Sequence, residues 1–485
     1  MPSVATYKAI KLDSWEGGLN LHADASRLED TELSYAMNVR LGPRGEVQMR
    51  TGYTQYDDGS LTDIPSFLYP WRSFAGDDFL IATASTGSGG GSVWYGSDDT
   101  FTDSTKDVLP GTTLPIWGVG FAGALKKLYV SSKNSSVISF DGTTWADVTT
   151  IPRGKILFFR HGRLFSINTL ARPSGVYFSA LNDAETVWDA NNYVEAAPDD
   201  GYEINCADIF GDDLILFKDQ SIWQLSGRSP SALGLYKLDS QRGSVSPRAF
   251  SQLRGRLFFY DRDSGIWAFD GSGFELVSQP INNYMLAGQN YDLAYQATAY
   301  TGEDRVYFSI PWFDASRHTF VYHGQTGAWT EYDSGFAAAC SYLDTRYLTL
   351  PGVDGIVYAD TTSSLVAPSA TPLVGTFRTG WFELGGPGLK ARVRRIEMSI
   401  EAPATTEITM KMYRDHGTTT PLVTRTITGG GDSWATGATE RIVAEDGWGG
   451  RLHSCMFEFS TNDYPFQLNN MTVFYTGGAD VRGER

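Results

Sequence analysis

Short apolar runs rich in Val, Ile, Tyr, Phe and Trp recur along this chain, each bounded by Gly, Asp or Ser. Runs of this kind predict strands, because helices need longer segments with apolar positions three and four apart. The breaks are themselves periodic. A Gly-centred turn leads into an apolar strand at Gly76-Asp-Asp-Phe-Leu-Ile, Gly123-Ala-Leu-Lys-Lys-Leu-Tyr-Val, Gly162-Arg-Leu-Phe-Ser-Ile, Gly211-Asp-Asp-Leu-Ile-Leu-Phe, Gly255-Arg-Leu-Phe-Phe-Tyr and Gly302-Glu-Asp-Arg-Val-Tyr-Phe, with a degenerate seventh copy at Asp344-Thr-Arg-Tyr-Leu-Thr-Leu. Successive anchors lie 39 to 49 residues apart, the spacing of a four-stranded antiparallel unit. About seven such units over residues 71–360 predict an all-β fold, a β-propeller of about seven blades.

Second strands follow in register, among them Val137-Ile-Ser-Phe-Asp-Gly, Ser221-Ile-Trp-Gln-Leu, Gly265-Ile-Trp-Ala-Phe-Asp-Gly and Gly355-Ile-Val-Tyr-Ala-Asp. Where Asp141-Gly142 precedes Trp145 and Asp270-Gly271 precedes Phe274, Asp-Gly predicts a type I′ hairpin turn with φ positive at both central residues. The aromatic beyond each turn is placed to pack between neighbouring blades. Ser139-Phe-Asp-Gly-Thr-Thr-Trp145 resembles the Asp-box of sialidase propellers but lacks the residue between Asp and Gly, which favours a plain hairpin. Asp261-Arg-Asp-Ser-Gly265 is half of a calcium loop with Ser272 where the closing Glu belongs, so it reads as a blade turn.

The flanks have a different texture. Residues 1–70 form an N-terminal opening segment. Asp30 or Thr31 can cap a short helix with Leu33, Ala36 and Met37 on one side, and a hairpin or extended strand runs from Val39 to Tyr56 with a turn at Gly42-Pro-Arg-Gly45. A propeller ring needs closing, and this segment can supply the closing strand. Residues 361–376 form a linker, Ser-, Thr-, Pro- and Ala-rich over 361–372. Seven short alternating strands over residues 377–485 predict a β-sandwich-like domain. Within it, strand alternation sends Arg392 and Arg394 to one face and Arg395 to the other, a solvated or subunit-contact arrangement.

Composition supports this reading and narrows the function. The 485 residues include 52 Gly, 13 Trp, 25 Tyr and 27 Phe, a profile of many turns joining aromatic-rich strands. Residues 378–485 hold 12 basic and 13 acidic side chains, so nearly all of the −17 net charge falls on residues 1–377. A surface that acidic repels nucleic acid instead of neutralising its phosphates. Cys206, Cys340 and Cys455 are too far apart for a disulfide framework or a metal motif and read as buried thiols. The sequence carries no signal-peptide core and no apolar run long enough to span a membrane, so export and membrane insertion are not expected.

Catalytic signatures are not found. The six histidines form no ligand pair, and His318 and His323 fall on opposite faces of one strand. There is no nucleophile elbow and no P-loop. The carboxylate pairs Asp77-Asp78, Asp98-Asp99, Asp199-Asp200 and Asp212-Asp213 occupy turns, where Asp is favoured for backbone reasons. The expectation is a protein that is not an enzyme, with no catalytic, cofactor-binding or metal residue and no cofactor.

Gly17-Gly-Leu-Asn, then Leu28-Glu-Asp-Thr-Glu, Asn38-Val-Arg-Leu and Met49-Arg-Thr-Gly-Tyr53 together resemble the opening of tail proteins of tailed bacteriophages, in which such a segment precedes a propeller. Arg378-Thr-Gly-Trp-Phe and Lys390-Ala-Arg-Val-Arg-Arg-Ile-Glu resemble the strand pair that follows it there. The resemblance covers both flanks and the repeat architecture. It implies a structural virion protein of the tail nozzle or tail hub, made in the host cytoplasm. Its expected form is a homo-oligomeric ring of about six copies below the portal and adaptor proteins, in contact with tail fibres. DNA would pass through the ring in transit, without specific binding. Two alternatives stand beside this: a carbohydrate-binding or glycan-cleaving propeller, and a cellular interaction scaffold.

Overall fold

The computed structural model describes the chain except residues 1–6, 58, 62–63, 87–89, 110–118, 125, 344, 352–354, 361–372, 385–388, 403–405, 429–439, 446–449, 463–464 and 478–485. Most of the expected linker therefore lies outside the described residues, as does Asp344 of the degenerate seventh turn. The last linker residues enter a strand, Gly375–Thr379.

The central region is a seven-bladed β-propeller. Six blades are separate four-stranded antiparallel sheets, and the seventh sheet is part of a larger one. Blade one runs from Ile64–Arg72 to Thr102–Leu109, blade two from Val119–Ala124 to Trp145–Val148, and blade three from Gly154–Arg160 to Tyr193–Glu195. Blade four runs from Cys206–Phe210 to Gly234–Asp239, blade five from Phe250–Leu253 to Phe274–Leu276, and blade six from Thr298–Gly302 to Trp329–Tyr332. In each, the first strand faces the axis. The second strand is buried along nearly its whole length, as in Lys127–Ser132 and Arg256–Asp261, because a blade is covered on both sides by its neighbours. This is why those strands read as unbroken apolar runs instead of alternating ones.

Blade seven is composite. Ala338–Tyr342, Thr345–Thr349 and Tyr358–Asp360 come from the end of the repeats, and the outer strand is Tyr53–Gln55, paired antiparallel with Tyr358–Asp360. The N-terminal region thus supplies the strand that closes the ring, and it links the two ends of the repeat array non-covalently.

Turn chemistry follows the repeat in blades three and five and departs from it elsewhere. His161-Gly162 and Arg254-Gly255 have φ positive at both positions, as a two-residue I′ hairpin requires. In blade six the same turn is made by Glu303 and Asp304, not by Gly302. The Asp-Gly pairs do not form I′ turns. Phe140 pairs with Trp145 and Phe269 with Phe274 across four-residue loops in which only Gly142 and Gly271 have positive φ. The Asp141 carboxylate accepts from the Thr143 and Thr144 amides, and Asp270 from those of Ser272 and Gly273. The Asp side chain therefore organises the loop itself. These contacts hold Asp141 below the usual carboxylate range and Asp270 at about 2. Trp145 beyond the first loop packs on Tyr95 of blade one, 5.7 Å between centroids.

The C-terminal region is a two-sheet sandwich completed by N-terminal strands. One sheet contains Ala391–Glu401, Glu440–Glu445 and Gln467–Gly477 with Lys8–Leu12, Val39–Leu41 and Val47–Met49. The other contains Gly375–Thr379, Ser454–Thr461, Glu407–Arg414 and Val423–Thr428 with Glu32–Met37. Met398, Ile400 and Val473 of the first sheet and Phe377, Met410 and Phe459 of the second belong to one buried core.

Glu32–Met37 is a strand and not the expected short helix. A register shift between Leu33 and Tyr35 turns both Leu33 and Ala36 inward, which produces the three-residue spacing that mimics a helix. A second shift, between Val393 and Arg395, corrects the arginine assignment. Buried positions are 391 and 393 before the shift and 396, 398 and 400 after it, so Arg392, Arg394 and Arg395 all lie on the outer face. Arg395 lies over the Phe474 ring at 4.4 Å, and Arg394 donates to Thr476 Oγ1 at 3.2 Å.

Candidate functional site

Two places concentrate unusual chemistry: the joint between propeller and sandwich, and the central cavity. The joint is built from the outer strand of blade six. Gly18–Leu19 pairs in parallel with Trp329 and with Glu32–Met37, so the blade-six sheet continues without a break into the sandwich. Gly18 has φ +62°, and a Cβ there would stand 2.7 Å from Ala328 Cβ and 2.8 Å from Trp329 O. Only glycine permits both the backbone conformation and the approach.

Asn38 takes a left-handed conformation, φ 56°. Its Oδ1 accepts from Arg50 Nε at 2.9 Å and from the Asp333 amide at 3.3 Å, and its Nδ2 donates to Val374 O at 3.1 Å. Arg50, 1% exposed, donates from Nη1 to Tyr53 OH at 2.7 Å and from Nη2 to Ser334 Oγ at 2.9 Å. Its guanidinium lies over the rings of Tyr332 and Tyr53, at 4.6 and 5.1 Å. The carboxylate it pairs with, Asp333, is 3.5 Å away and half exposed. Hydrogen bonds and aromatic faces therefore stabilise this buried cation more than an ion pair does. In the third strand of blade six, His323 is buried and held well below the ordinary histidine range, first by burial and then by Arg305 and Arg40. It accepts from Arg305 Nε at Nδ1, 3.2 Å away.

The central cavity, about 350 Å³, is lined by the inner strands of all seven blades. Phe67, Tyr69, Phe121 and Phe158 supply aromatic wall, with Tyr69 and Phe121 stacked at 4.8 Å. Among the described residues, three charged side chains line it: Lys155, Asp208 and Arg248. Lys155 and Lys133 share Glu203 at 3.1 and 2.7 Å. Burial works to raise the Glu203 carboxyl, but the two ammonium groups outweigh it and bring it to about 2.

Asp208 behaves oppositely. Burial pushes it up to about 6, and hydrogen bonds from Gln252 Nε2 and the Ile209 amide offset this only in part. Because the folded state holds this proton more tightly than the unfolded chain, stability falls as pH rises from about 4 through 6 and levels off above. Asp208→Asn, which keeps the acceptor, should match the parent chain near pH 4 and exceed it by about 2 kcal/mol at pH 8. Denaturant midpoints at the two pH values measure this.

The sequence candidates do not converge. Asp77-Asp78 and Asp212-Asp213 sit at first-to-second-strand turns of blades one and four, and Asp98-Asp99 at another turn of blade one, all on one propeller face. Asp199-Asp200 lies on the opposite face, where Asp200 binds the fully buried Lys218. His318 stacks on Trp312 and bonds Glu331, away from His323. Asp261 is a turn residue accepting from the Asp263 amide. The three cysteines are buried and unpaired, and burial pushes the Cys340 thiol up to about 12. Among the described residues no group of three His, Cys, Asp or Glu is placed to hold a metal. Arg248 and Asp208 were not legible beforehand, because one Arg before a strand and one Asp within it are ordinary until seven strands converge on an axis.

No protein-family profile matches the chain, and no curated protein matches it by sequence. Solved structures that resemble it include YCF48 bound to D1 peptide, at 10% identity and TM-score 0.42 over 66% of this chain and 98% of that one. BamB from Moraxella catarrhalis aligns at 11% identity and TM-score 0.38, over 74% and 98%. The extracellular domain of BT4673 from B. thetaiotaomicron aligns at 11% and 0.44, over 86% and 62%.

Proposed function

We propose that this protein is a structural component of a bacteriophage tail, a nozzle or hub subunit that assembles as a ring of about six copies around a channel for the genome. The observation that carries the reading is the use made of the N-terminal motif residues that resemble such proteins. Gly18, Asn38, Arg50 and Tyr53 are all spent on the joint, which makes the propeller and sandwich one continuous piece. A subunit that transmits load between neighbours needs this kind of joint. The acidic turns gathered on one propeller face fit a channel wall, since negative charge denies DNA an adhesive surface. The sandwich is the platform for ring neighbours, adaptor or fibres.

Peptide mass spectrometry of purified particles, with negative-stain imaging of the purified chain and of the chain mixed with its portal and adaptor, tests this. The expected outcome is a virion protein and a closed ring with an acidic lumen. Absence from particles, or a ring with a basic lumen, overturns it. The aromatic walls of the central cavity favour a second reading, a glycan-binding propeller, which predicts saturable binding on a glycan array by the isolated chain.

A further inference from the structure

The inner strands do not line the central cavity evenly. Blades one, two, three and five present Tyr69, Phe121, Phe158 and Phe250 to it, blades six and seven present alanines, and blade four presents Asp208. Each of these positions keeps accessible surface. The carboxylate of blade four is therefore flanked by aromatic residues on blades three and five. Across the axis, the alanine of blade seven leaves room.

Asp208 is held in place without being neutralised. Its Oδ2 accepts from Gln252 Nε2 of blade five at 2.7 Å, and its Oδ1 from the Ile209 amide at 2.8 Å. Both donors are uncharged, and each carboxylate oxygen can accept once more. Burial holds the carboxyl at about 6, and only these hydrogen bonds oppose the rise, so the group is ionised at pH 8. The two cations lining the cavity are committed elsewhere. Lys155 is 3.1 Å from Glu203. Arg248 donates through Nη1 to Ser66 O and Ala337 O, and its other two nitrogens are sheltered from solvent. An ionised carboxylate in an enclosed space with apolar walls calls for a cation.

We propose that the central cavity binds a small organic ammonium ion, its N–H groups on the carboxylate of Asp208 and its apolar body among Phe158, Phe250 and the stacked rings of Tyr69 and Phe121. Aromatic faces attract an ammonium group as well as covering its carbon frame. The volume, about 350 Å³, is at the small end of the range of about 300–1,000 Å³ used by small-molecule sites. A metal ion is a poorer fit, since it needs several oxygen ligands and the described residues bring one carboxylate to the cavity. Binding is to the single chain and does not depend on assembly into a ring.

The test is calorimetric titration of the purified full chain at pH 8 with benzylammonium, with benzyl alcohol as its neutral counterpart and with benzoate as the opposite charge. Benzylammonium should bind at one site per chain, at least about tenfold tighter than the other two. Asp208→Asn, which keeps an acceptor for Gln252 and removes the charge, should bring benzylammonium down to the level of the alcohol. Ala339→Trp, which fills the cavity from blade seven and leaves the carboxylate in place, should abolish binding. If Ala339→Trp does not fold, Asp208→Asn and the three-ligand comparison on the parent chain decide. No benzylammonium binding, alcohol or benzoate binding as tightly as benzylammonium, or benzylammonium binding unchanged in either folded variant overturns the proposal.

Discussion

Arg50→Ala should make the full chain unfold in two transitions, with the joint and the closing strand of blade seven released first. The substitution removes the arginine donor from Asn38 Oδ1, Tyr53 OH and Ser334 Oγ in a site that is 1% exposed at the arginine. It also opens a cavity between the Tyr53 and Tyr332 rings. Losing several buried charged hydrogen bonds together with the packing should cost about 3–5 kcal/mol. Calorimetry reads the split, and hydrogen exchange should show Tyr53–Gln55 losing protection before the inner strands. Arg50→Lys keeps the charge but cannot reach Asn38, Tyr53 and Ser334 at once, so it should recover only part of the loss. A single transition of unchanged midpoint in Arg50→Ala would show that the joint is not held by this residue.

Gly18→Val should be comparably severe for a different reason. At φ +62° a β-branched residue is strained, and its Cβ would meet Ala328 Cβ and Trp329 O at under 3 Å. Left-handed strain of about 1–2 kcal/mol adds to overpacking of about 1–3 kcal/mol. The parallel pairing with Trp329 should be lost, and because Trp15 and Trp329 are both fully buried here, their fluorescence in a urea titration follows the change. Gly76→Ala is the control: it has φ +101° with open space around it, so it should show the backbone cost alone, about 1–2 kcal/mol.

Both predictions concern residues that stood out in the sequence, yet what they do there was not readable. The Gly17-Gly-Leu-Asn and Arg50-Thr-Gly-Tyr53 segments were recognisable as motifs, but a motif does not name its contacts. Asn38 meets Asp333, and Arg50 meets Ser334, across nearly three hundred residues of intervening propeller. The acidic pairs fall at or beside turns because that preference is local, but Asp78 and Asp213 are the first residues of strands and Asp199-Asp200 lies in a turn of 3-10 helix. The Asp-Gly loops were assigned the wrong turn type, since loop length depends on where the pairing resumes at Trp145 and Phe274. The Leu33 and Ala36 pair and the three arginines at 392–395 failed for one shared cause. A bulge inserts a residue into a strand and changes the periodicity that a sequence reader relies on, and it forms only against a partner strand.

The sequence by itself determined the repeat: strand length, turn positions and the apolar second strands follow from propensity and local turn chemistry, which act over a few residues. Tertiary structure alone decided how the array ends and what it encloses. The edges left open by blade six, blade seven and the strand Gly375–Thr379 needed partners for their backbone groups, and the N-terminal segment was drawn into all three. The seven inner strands likewise brought Arg248 to an axis where it has no carboxylate partner among the described residues. Charge balance at a point is a property of the assembled ring, and no stretch of the chain encodes it alone.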